Sequence, residues 1–217
     1  MEIQKSIVDI AIEHIRSNII NGTIRVNEKV SMREIAKELN ISRTPIREAI
    51  RKLESEGLIE LLPRRGFIIK KYSSKKIEEI YEVRRVLETY AIRLACKNIG
   101  EKDIEKLKKL NHDLTLTFKE KRQNLMKLKK INEEFHFAIF KASHNETVCE
   151  IIQNLWERIS GLFIHIFKNP IQGKTTFQEH ENIIRALEKK DINKAIFMLE
   201  KHLKINKEIL MSYLSQE

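Results

Sequence analysis

Residues 31–57 read SMREIAKELNISRTPIREAIRKLESEG, two short amphipathic segments that meet at Asn40. Ser31 and Glu34 have the spacing of a capping box, which predicts that a helix begins at this point. Asn40 belongs to the few residue types that tolerate a positive φ, so it predicts a tight turn. Apolar residues at helical spacing predict the inward face of the second segment: Ile46, Ala49, Ile50 and Leu53. Two helices joined by a tight turn are therefore expected.

The flanking segments extend this unit in both directions. A first helix is predicted from about Ile3 to Ile20. Its expected apolar face consists of Ile7, Ile10, Ala11, His14, Ile15, Asn18 and Ile19. After Gly57, residues 58–62 and 67–69 are strand-like and are separated by the turn Pro63-Arg64-Arg65-Gly66. Three helices followed by a small hairpin predict a winged helix-turn-helix domain over residues 1–72.

The third predicted helix carries a cationic face opposite its apolar face. Arg43, Arg47 and Arg51 recur every four residues and therefore lie on one side of the helix. Arginine binds guanine with two hydrogen bonds, and the hydroxyl of Thr44 is available to a phosphate. The turn Arg64-Arg65-Gly66 can enter an adjacent minor groove, where glycine permits close approach. An ordinary exposed arginine face is the alternative, but the turn and the basic hairpin together favour DNA binding.

The chain beyond Tyr72-Ser73-Ser74 is predicted to be entirely helical. Breaks are expected at Asn98-Ile99-Gly100, at Ser143-His144-Asn145 and from Asn169-Pro170 to Gly173. The six predicted helices cover about residues 75–98, 102–122, 124–143, 146–168, 176–189 and 191–215. The fold class is thus mainly α: a winged helix-turn-helix with a β-hairpin wing, followed by an all-α bundle over residues 75–217.

Composition supports a DNA-binding protein without locating the site. The formal net charge is +10, which favours an anionic partner, but residues 1–72 hold 14 Lys and Arg against 10 Asp and Glu. Residues 1–72 thus have a net charge of +4 and the remaining residues +6, so the positive charge is spread almost evenly along the chain. A Lys-rich solvated surface explains this charge equally well. Cys96 and Cys149 are expected to be free thiols. The first 20 residues are amphipathic and charged, with no signal peptide, and no apolar run could span a bilayer, so we expect a cytoplasmic protein.

The N-terminal motifs resemble those of the GntR family of bacterial repressors. The resemblance rests on Arg33-Glu34-Ile35-Ala36, on residues 41–50 (ISRTPIREAI), on Glu56-Gly57-Leu58-Ile59 and on Arg64-Arg65-Gly66. It implies that operator DNA is contacted by Arg33, Arg43, Thr44, Arg47 and the Gly66 wing tip. Family members commonly have Pro-Gly before the second helix, where this chain has Val26-Asn27. We expect that change to alter the loop and to leave the DNA-reading residues in place.

The C-terminal part resembles the FadR-type effector domain, the FCD domain, that many GntR proteins carry. The matching segments are Val83-Arg84-Arg85-Val86-Leu87-Glu88, the Phe135-His136 pair and the run from Glu179-His180 to His202-Leu203. The resemblance implies a homodimer and a small organic-acid effector. About six helices indicate the metal-containing VanR-like branch of these proteins.

Three histidines on three predicted helices form a candidate metal site. Imidazoles that converge in a bundle core can bind Zn²⁺, Ni²⁺ or Mn²⁺, so His136, His180 and His202 are the predicted ligands. In the family, a carboxylate one helical turn before the first histidine completes the site. Asn132 stands at that position here. Its carbonyl oxygen can coordinate but brings no negative charge, so a weaker metal site or none is also consistent with the sequence.

Arg84 is a candidate effector-binding residue because the resemblance places its position beside the effector cavity. A guanidinium there could hold a carboxylate with two hydrogen bonds. The alternative is a surface salt bridge with Glu88 one turn later or with Glu82 nearby.

Three classes of function compete at this level. The leading hypothesis is a DNA-binding transcription regulator, a repressor, controlled by an organic acid. A helical metal-dependent hydrolase with an accessory nucleic-acid-binding domain is the second, disfavoured because no general base accompanies the histidines at a recognisable spacing. The third is an architectural or RNA-binding helical protein. The sequence therefore predicts a protein that is not an enzyme.

Overall fold

The structure is a computed structural model that describes residues 6–20, 23–24, 28–55, 58–63, 65–69, 73–120, 124–159, 162, 166–167 and 170–215. Contacts divide the chain into two units. The N-terminal unit comprises Met1–Tyr72 with Glu157–Gly161, and the C-terminal unit comprises Ser73–Trp156 with Leu162–Glu217. None of the helices described is both long and apolar enough to cross a membrane.

The N-terminal unit has three helices followed by a two-stranded antiparallel hairpin. The elements are α1 (Ile7–Ile20), α2 (Met32–Glu38), α3 (Arg43–Ser55), β1 (Ile59–Leu62) and β2 (Gly66–Ile69). In the hairpin Ile59 pairs with Ile69 and Leu62 pairs with Gly66. The predicted winged helix-turn-helix is confirmed. One contact was not predicted: Val30 forms an isolated bridge with Phe67, which ties the segment before α2 to the hairpin.

Local signals in the sequence correctly located the turn and the core. The Ser31 hydroxyl caps α2, accepting the backbone N–H of Arg33 at 3.2 Å. Asn40 has a φ of 52°, as its position in the tight turn predicted. The predicted inward face of α3 is confirmed, since all four of its apolar side chains are fully buried: Ile46, Ala49, Ile50 and Leu53.

The predicted apolar face of α1 is wrong in part. Ile7 and Ile10 are 55% and 44% exposed, whereas Ile12, which was not assigned to the face, is buried. Ala11 and Ile15 are buried as predicted. Isoleucines lie on more than one side of this helix, so spacing alone did not determine which side packs on α3.

Gly66 is required by the protein's own backbone. Its φ is 95°, a conformation that residues with a Cβ rarely adopt, and a Cβ here would overlap the carbonyl oxygen of Val30. The sequence interpretation assigned this glycine to close approach by DNA. The structure shows a second reason for a glycine at this position, since the hairpin packs closely against Val30 there.

Gly66→Ala is therefore expected to lower the free energy of unfolding by roughly 1–3 kcal/mol, the cost of holding a non-glycine residue in such a conformation. Urea denaturation of the full-length protein measures this change. Gly100→Ala is the matched control, because Gly100 has a negative φ and a Cβ there would lie 3.8 Å from its nearest neighbour, Asp103. Equal stability of the two variants would contradict the role given to Gly66.

The described part of the C-terminal unit contains six long helices. They are α4 (Ser74–Asn98), α5 (Glu101–Lys119), α6 (Leu125–Lys141), α7 (Glu146–Arg158), α8 (Pro170–Glu188) and α9 (Ile192–Leu214). Helix α4 packs against α6 and α9, α5 packs against α6 and α8, and α8 packs against α9. This arrangement directs one face each of α6, α8 and α9 toward a shared interior.

Two helix boundaries of the C-terminal unit differ substantially from the prediction. Helix α7 ends at Arg158, ten residues earlier than expected, and α8 begins at Pro170 within a segment that was predicted to be a break. A proline in the first turn of a helix loses no hydrogen bond because its nitrogen would have no partner there. The proline thus marks a helix start. Cys96 and Cys149 are both free, as predicted.

Candidate DNA-binding surface and histidine cluster

A groove of about 440 Å³ on the N-terminal unit gathers most of the residues that were predicted to contact DNA. Helix α2 contributes one side of it, the first turns of α3 another, and the hairpin the third. The predicted residues that line this arginine groove are Arg33, Arg43, Thr44, Arg47, Arg65 and Gly66. Arg51 is exposed one turn beyond Arg47 and does not line the groove, and Arg64 lies outside the described residues.

The arginine groove carries cationic groups that the described residues do not neutralise. Arg33, Arg43, Arg47 and Arg65 are all exposed, and none of them forms an ion pair with another described side chain. Four guanidinium groups around one concave surface produce a positive potential that attracts anions. Each guanidinium carries five N–H donors, which suit phosphates and the acceptor atoms of guanine.

The C-terminal unit brings the three predicted histidines together. His136 comes from α6, His180 from α8 and His202 from α9, and each is at most 1% exposed. Their ring centroids are 4.9–5.0 Å apart, and one nitrogen of each ring lies within 4.8 Å of the others. We call these three residues the histidine cluster. Phe135 stacks on the His180 ring at 4.0 Å and so fixes its plane.

Two of the imidazoles have no hydrogen-bond partner in the described part of the chain. Both ring nitrogens of His136 and both of His180 are buried with no partner among the described residues. Burial lowers the pKa of His136 well below its ordinary value, and the neighbouring His202, His180 and Arg84 lower this pKa further. Burial and His202 also hold the pKa of His180 well below that value. Neutral rings with unshared electron pairs aimed into a common space fit a divalent transition metal.

The third imidazole is oriented by two neighbours that the sequence interpretation missed. His202 Nδ1 lies 2.7 Å from Glu179 Oε2, and His202 Nε2 lies 2.9 Å from the side-chain nitrogen of Asn206. The carboxylate accepts the Nδ1 proton, which leaves the electron pair on Nε2. A carboxylate behind a metal-binding histidine orients the ring and raises its basicity. The contact between Asn206 and His202 could have been predicted from the sequence, since Asn206 is one helical turn after His202.

Asn132, the residue at the family's carboxylate position, is 5% exposed and lies one turn before His136 on α6. Its amide forms no hydrogen bond with the described side chains. Asn206, in contrast, is hydrogen-bonded to a member of the histidine cluster.

Arg84 lies beside the cluster and is already engaged. Its guanidinium sits over the rings of Tyr81 and Trp156, at 4.7 and 4.5 Å, and its Nε donates to Glu88 Oε1 at 2.6 Å. The indole N–H of Trp156 donates to the same carboxylate oxygen, and the indole ring lies 5.1 Å from the His136 ring. The Glu88 ion pair weighed from the sequence is thus present, but it is buried and not on the surface.

Comparison with known proteins identifies both units. Residues 8–69 match the family described as bacterial regulatory proteins, gntR family, and residues 79–204 match the FCD domain. The HTH-type transcriptional regulator YdhC of Bacillus subtilis (strain 168) is 31% identical over 82% of this chain and 79% of its own length. The chain belongs to the GntR family. The residues matched by the FCD domain include the histidine cluster and lie mostly in the C-terminal unit.

A further relative supports this assignment, and a solved structure has the same fold. The gluconate operon transcriptional repressor of Bacillus licheniformis is 30% identical over 82% of this chain and 74% of its own length. The solved structure of McbR/YncC from E. coli superposes with a TM-score of 0.80 at 23% identity, covering 97% of this chain and 99% of that one. GntR regulators bind operator DNA, and FCD domains bind small-molecule effectors. The chain is a transcription regulator of this family.

Because the pKa values of His136 and His180 are depressed, we expect the metal-free GntR protein to be less stable in acid. Because the unfolded chain binds protons near pH 6.5 and the folded cluster does not, the free energy of unfolding falls as the pH drops below that value. The slope reaches at most about 1.4 kcal/mol per pH unit for each histidine. Urea denaturation of chelator-treated protein between pH 7 and pH 5 measures it.

His136→Leu/His180→Leu is expected to flatten this dependence, whereas a control change at the exposed His112, His112→Leu, preserves it. An identical slope in the double variant and the parent would show that other groups cause the acid sensitivity.

Proposed function

We propose that this GntR protein is a homodimeric repressor that a small organic acid releases from operator DNA, the acid binding at a metal ion held by the histidine cluster. The observation that carries the proposal is a cluster of three buried imidazoles, two of which have no hydrogen-bond partner among the described residues. Without a ligand, each buried unpaired polar group costs about 1–3 kcal/mol. A bound metal ion would remove this destabilisation, because it would accept the electron pairs of the buried ring nitrogens.

The arginine groove supports the DNA-binding part of the proposal. Arg43 and Arg47 lie in the first half of α3, the part of a recognition helix that reaches furthest toward base edges. Arg33 approaches from α2 and Arg65 from the hairpin, positions from which they can neutralise backbone phosphates. We assign base reading to Arg43 and Arg47, and phosphate or minor-groove contacts to Arg33, Thr44, Arg51, Arg64, Arg65 and Gly66.

The effector site is assigned to the histidine cluster and its surroundings. Zn²⁺, Ni²⁺ or Mn²⁺ held by His136, His180 and His202 would supply an open coordination position for a carboxylate oxygen. Arg84 lies over the Trp156 ring, which is 5.1 Å from the His136 ring, so its guanidinium is a second positive group near the histidine cluster. Since Glu88 pairs with Arg84, an effector carboxylate reaches this guanidinium only by sharing it with Glu88 or displacing it.

Repression and dimerisation are supported by the family. One of its relatives is named as a repressor, of the gluconate operon. A dimer matches a palindromic operator, because each protomer places one recognition helix in one half-site. Effector binding would then favour the population in which the two recognition helices no longer fit both half-sites. DNA as the ligand implies action in the cytoplasm.

The test combines operator selection with an optical probe inside the effector site. Selection of DNA from a random pool by the full-length protein is expected to return an inverted repeat, whereas unselective binding would support an architectural or RNA-binding role instead. Trp156 is the only tryptophan of the chain and lies 5.1 Å from His136, so its fluorescence reports on the cluster. Organic acids are expected to change this fluorescence in metal-loaded protein only. A response to no acid in the panel would overturn the proposed effector class.

A further inference from the structure

We propose that Asn206 supplies the fourth protein ligand of the metal ion, through its side-chain amide oxygen. This inference rests on the metal site proposed above and names a ligand other than Asn132. Asn206 lies on α9 one turn after His202, so both side chains leave the same face of the helix. It is 4% exposed, and among the described asparagines it alone hydrogen-bonds to a member of the histidine cluster.

The hydrogen bonds of His202 fix how the amide points when no ion is present. Glu179 accepts the Nδ1 proton of His202, so Nε2 is an acceptor and the amide of Asn206 must present its N–H to it. The amide oxygen of Asn206 is then left buried without a hydrogen-bond partner among the described residues. A buried carbonyl oxygen without a donor or cation is energetically unfavourable.

A cation at the cluster reverses this preference. The ion takes the electron pair of His202 Nε2, so the N–H of Asn206 loses its acceptor and would face a positive charge. Rotation of the amide about its last side-chain bond by half a turn exchanges the nitrogen for the oxygen, because the two ends have almost the same shape. The oxygen then lies beside Nε2, where it can bind the same ion. The side chain of Asn206 can thus donate a hydrogen bond to His202 in the metal-free site and bind the ion in the metal-loaded site.

The ligand set that results is three imidazoles and one amide oxygen, with no carboxylate. Such a mixed nitrogen and oxygen set suits Zn²⁺, Ni²⁺ or Mn²⁺ and leaves the full charge of the ion to be neutralised. An anionic effector that completes the coordination is therefore bound more strongly than it would be at a site already holding a protein carboxylate. Glu179 acts through His202 and is a positioning residue.

The experiment is a calorimetric titration of the full-length, chelator-stripped protein with NiCl₂ and with ZnCl₂. Asn206→Ala is expected to weaken metal binding by about 10-fold or more, at least the effect of losing an outer-shell partner of a metal ligand. Asn206→Asp keeps an oxygen at this position and is expected to bind at least as tightly as the parent. The matched control is Asn132→Ala, which is expected to leave the metal affinity close to that of the parent.

The variants separate failure of this inference from failure of the metal site itself. Parent affinity in Asn206→Ala combined with weakened binding in Asn132→Ala would overturn the assignment in favour of Asn132. Metal binding lost equally in Asn206→Ala and Asn206→Asp would also overturn it, because an oxygen ligand is present in the second variant. A parent protein that binds neither ion would remove the proposed metal site and this ligand with it. Circular dichroism of each variant confirms that the bundle is folded.

Discussion

Arg47→Ala is expected to weaken binding to the selected operator by about 1–3 kcal/mol, a loss of roughly 5- to 150-fold, and to relax the preference for one base pair. Arg47 is exposed in the arginine groove, whereas the neighbouring Ile46 on α3 is buried. Its guanidinium has no ion pair with a described residue, so its removal leaves the fold unaltered. Fluorescence anisotropy with a labelled operator, repeated with each base pair substituted, measures both effects.

Two controls separate base reading from general attraction. Arg185→Ala removes an exposed arginine from α8, where it pairs with Glu181, and is expected to leave operator affinity unchanged. Arg33→Ala, at a proposed phosphate contact, is expected to weaken binding to all sequences alike and to reduce the salt dependence by about one charge. If Arg47→Ala behaved as Arg33→Ala does, Arg47 would be a phosphate contact and not a reader of bases.

The second large effect is expected from His136→Ala/His180→Ala, which should lose bound metal completely. These two rings supply the lone pairs that have no other partner among the described residues, so one imidazole would remain of the three. Elemental analysis of protein purified without an affinity tag or a chelator measures the metal content. We expect about one ion per chain in the parent, because the three histidines form a single cluster.

The control for this experiment is His112→Ala, since His112 is an exposed histidine of α5 outside the cluster. It should retain the parent's metal content. Metal that persists in the double variant would mean that the ion binds elsewhere. A folded, metal-free parent would mean that the effector is held by side chains alone, with Arg84 the next residue to substitute.

Much of the N-terminal unit could be predicted from sequence because its signals are local. The cap at Ser31, the positive φ at Asn40 and the buried face of α3 depend on residues within one or two turns. The rotation of α1 could not be predicted, because isoleucines on several sides leave it to tertiary packing to select Ile12 over Ile10. Pro170 was misinterpreted because proline both ends helices and begins them.

The histidine cluster was predictable for a different reason. Imidazoles on apolar faces of three helices are unusual enough to draw attention, and the family resemblance supplied their order. Glu179 could not be assigned in this way, because its contact with His202 joins two helices and depends on their relative rotation. The contacts of Arg84 with the rings of Tyr81 and Trp156 could not be predicted either, because Trp156 lies on a different helix, α7.

The most direct test of the proposed regulation is operator binding by metal-loaded, full-length protein during titration with a panel of mono-, di- and tricarboxylic acids. At least one acid is expected to lower operator affinity by about 5- to 150-fold, the usual range of coupling between two sites. The same acid should have no effect on His136→Ala/His180→Ala, which retains the arginine groove. Operator affinity that no acid changes, or that an acid changes equally in the parent and the double variant, would contradict control through the histidine cluster.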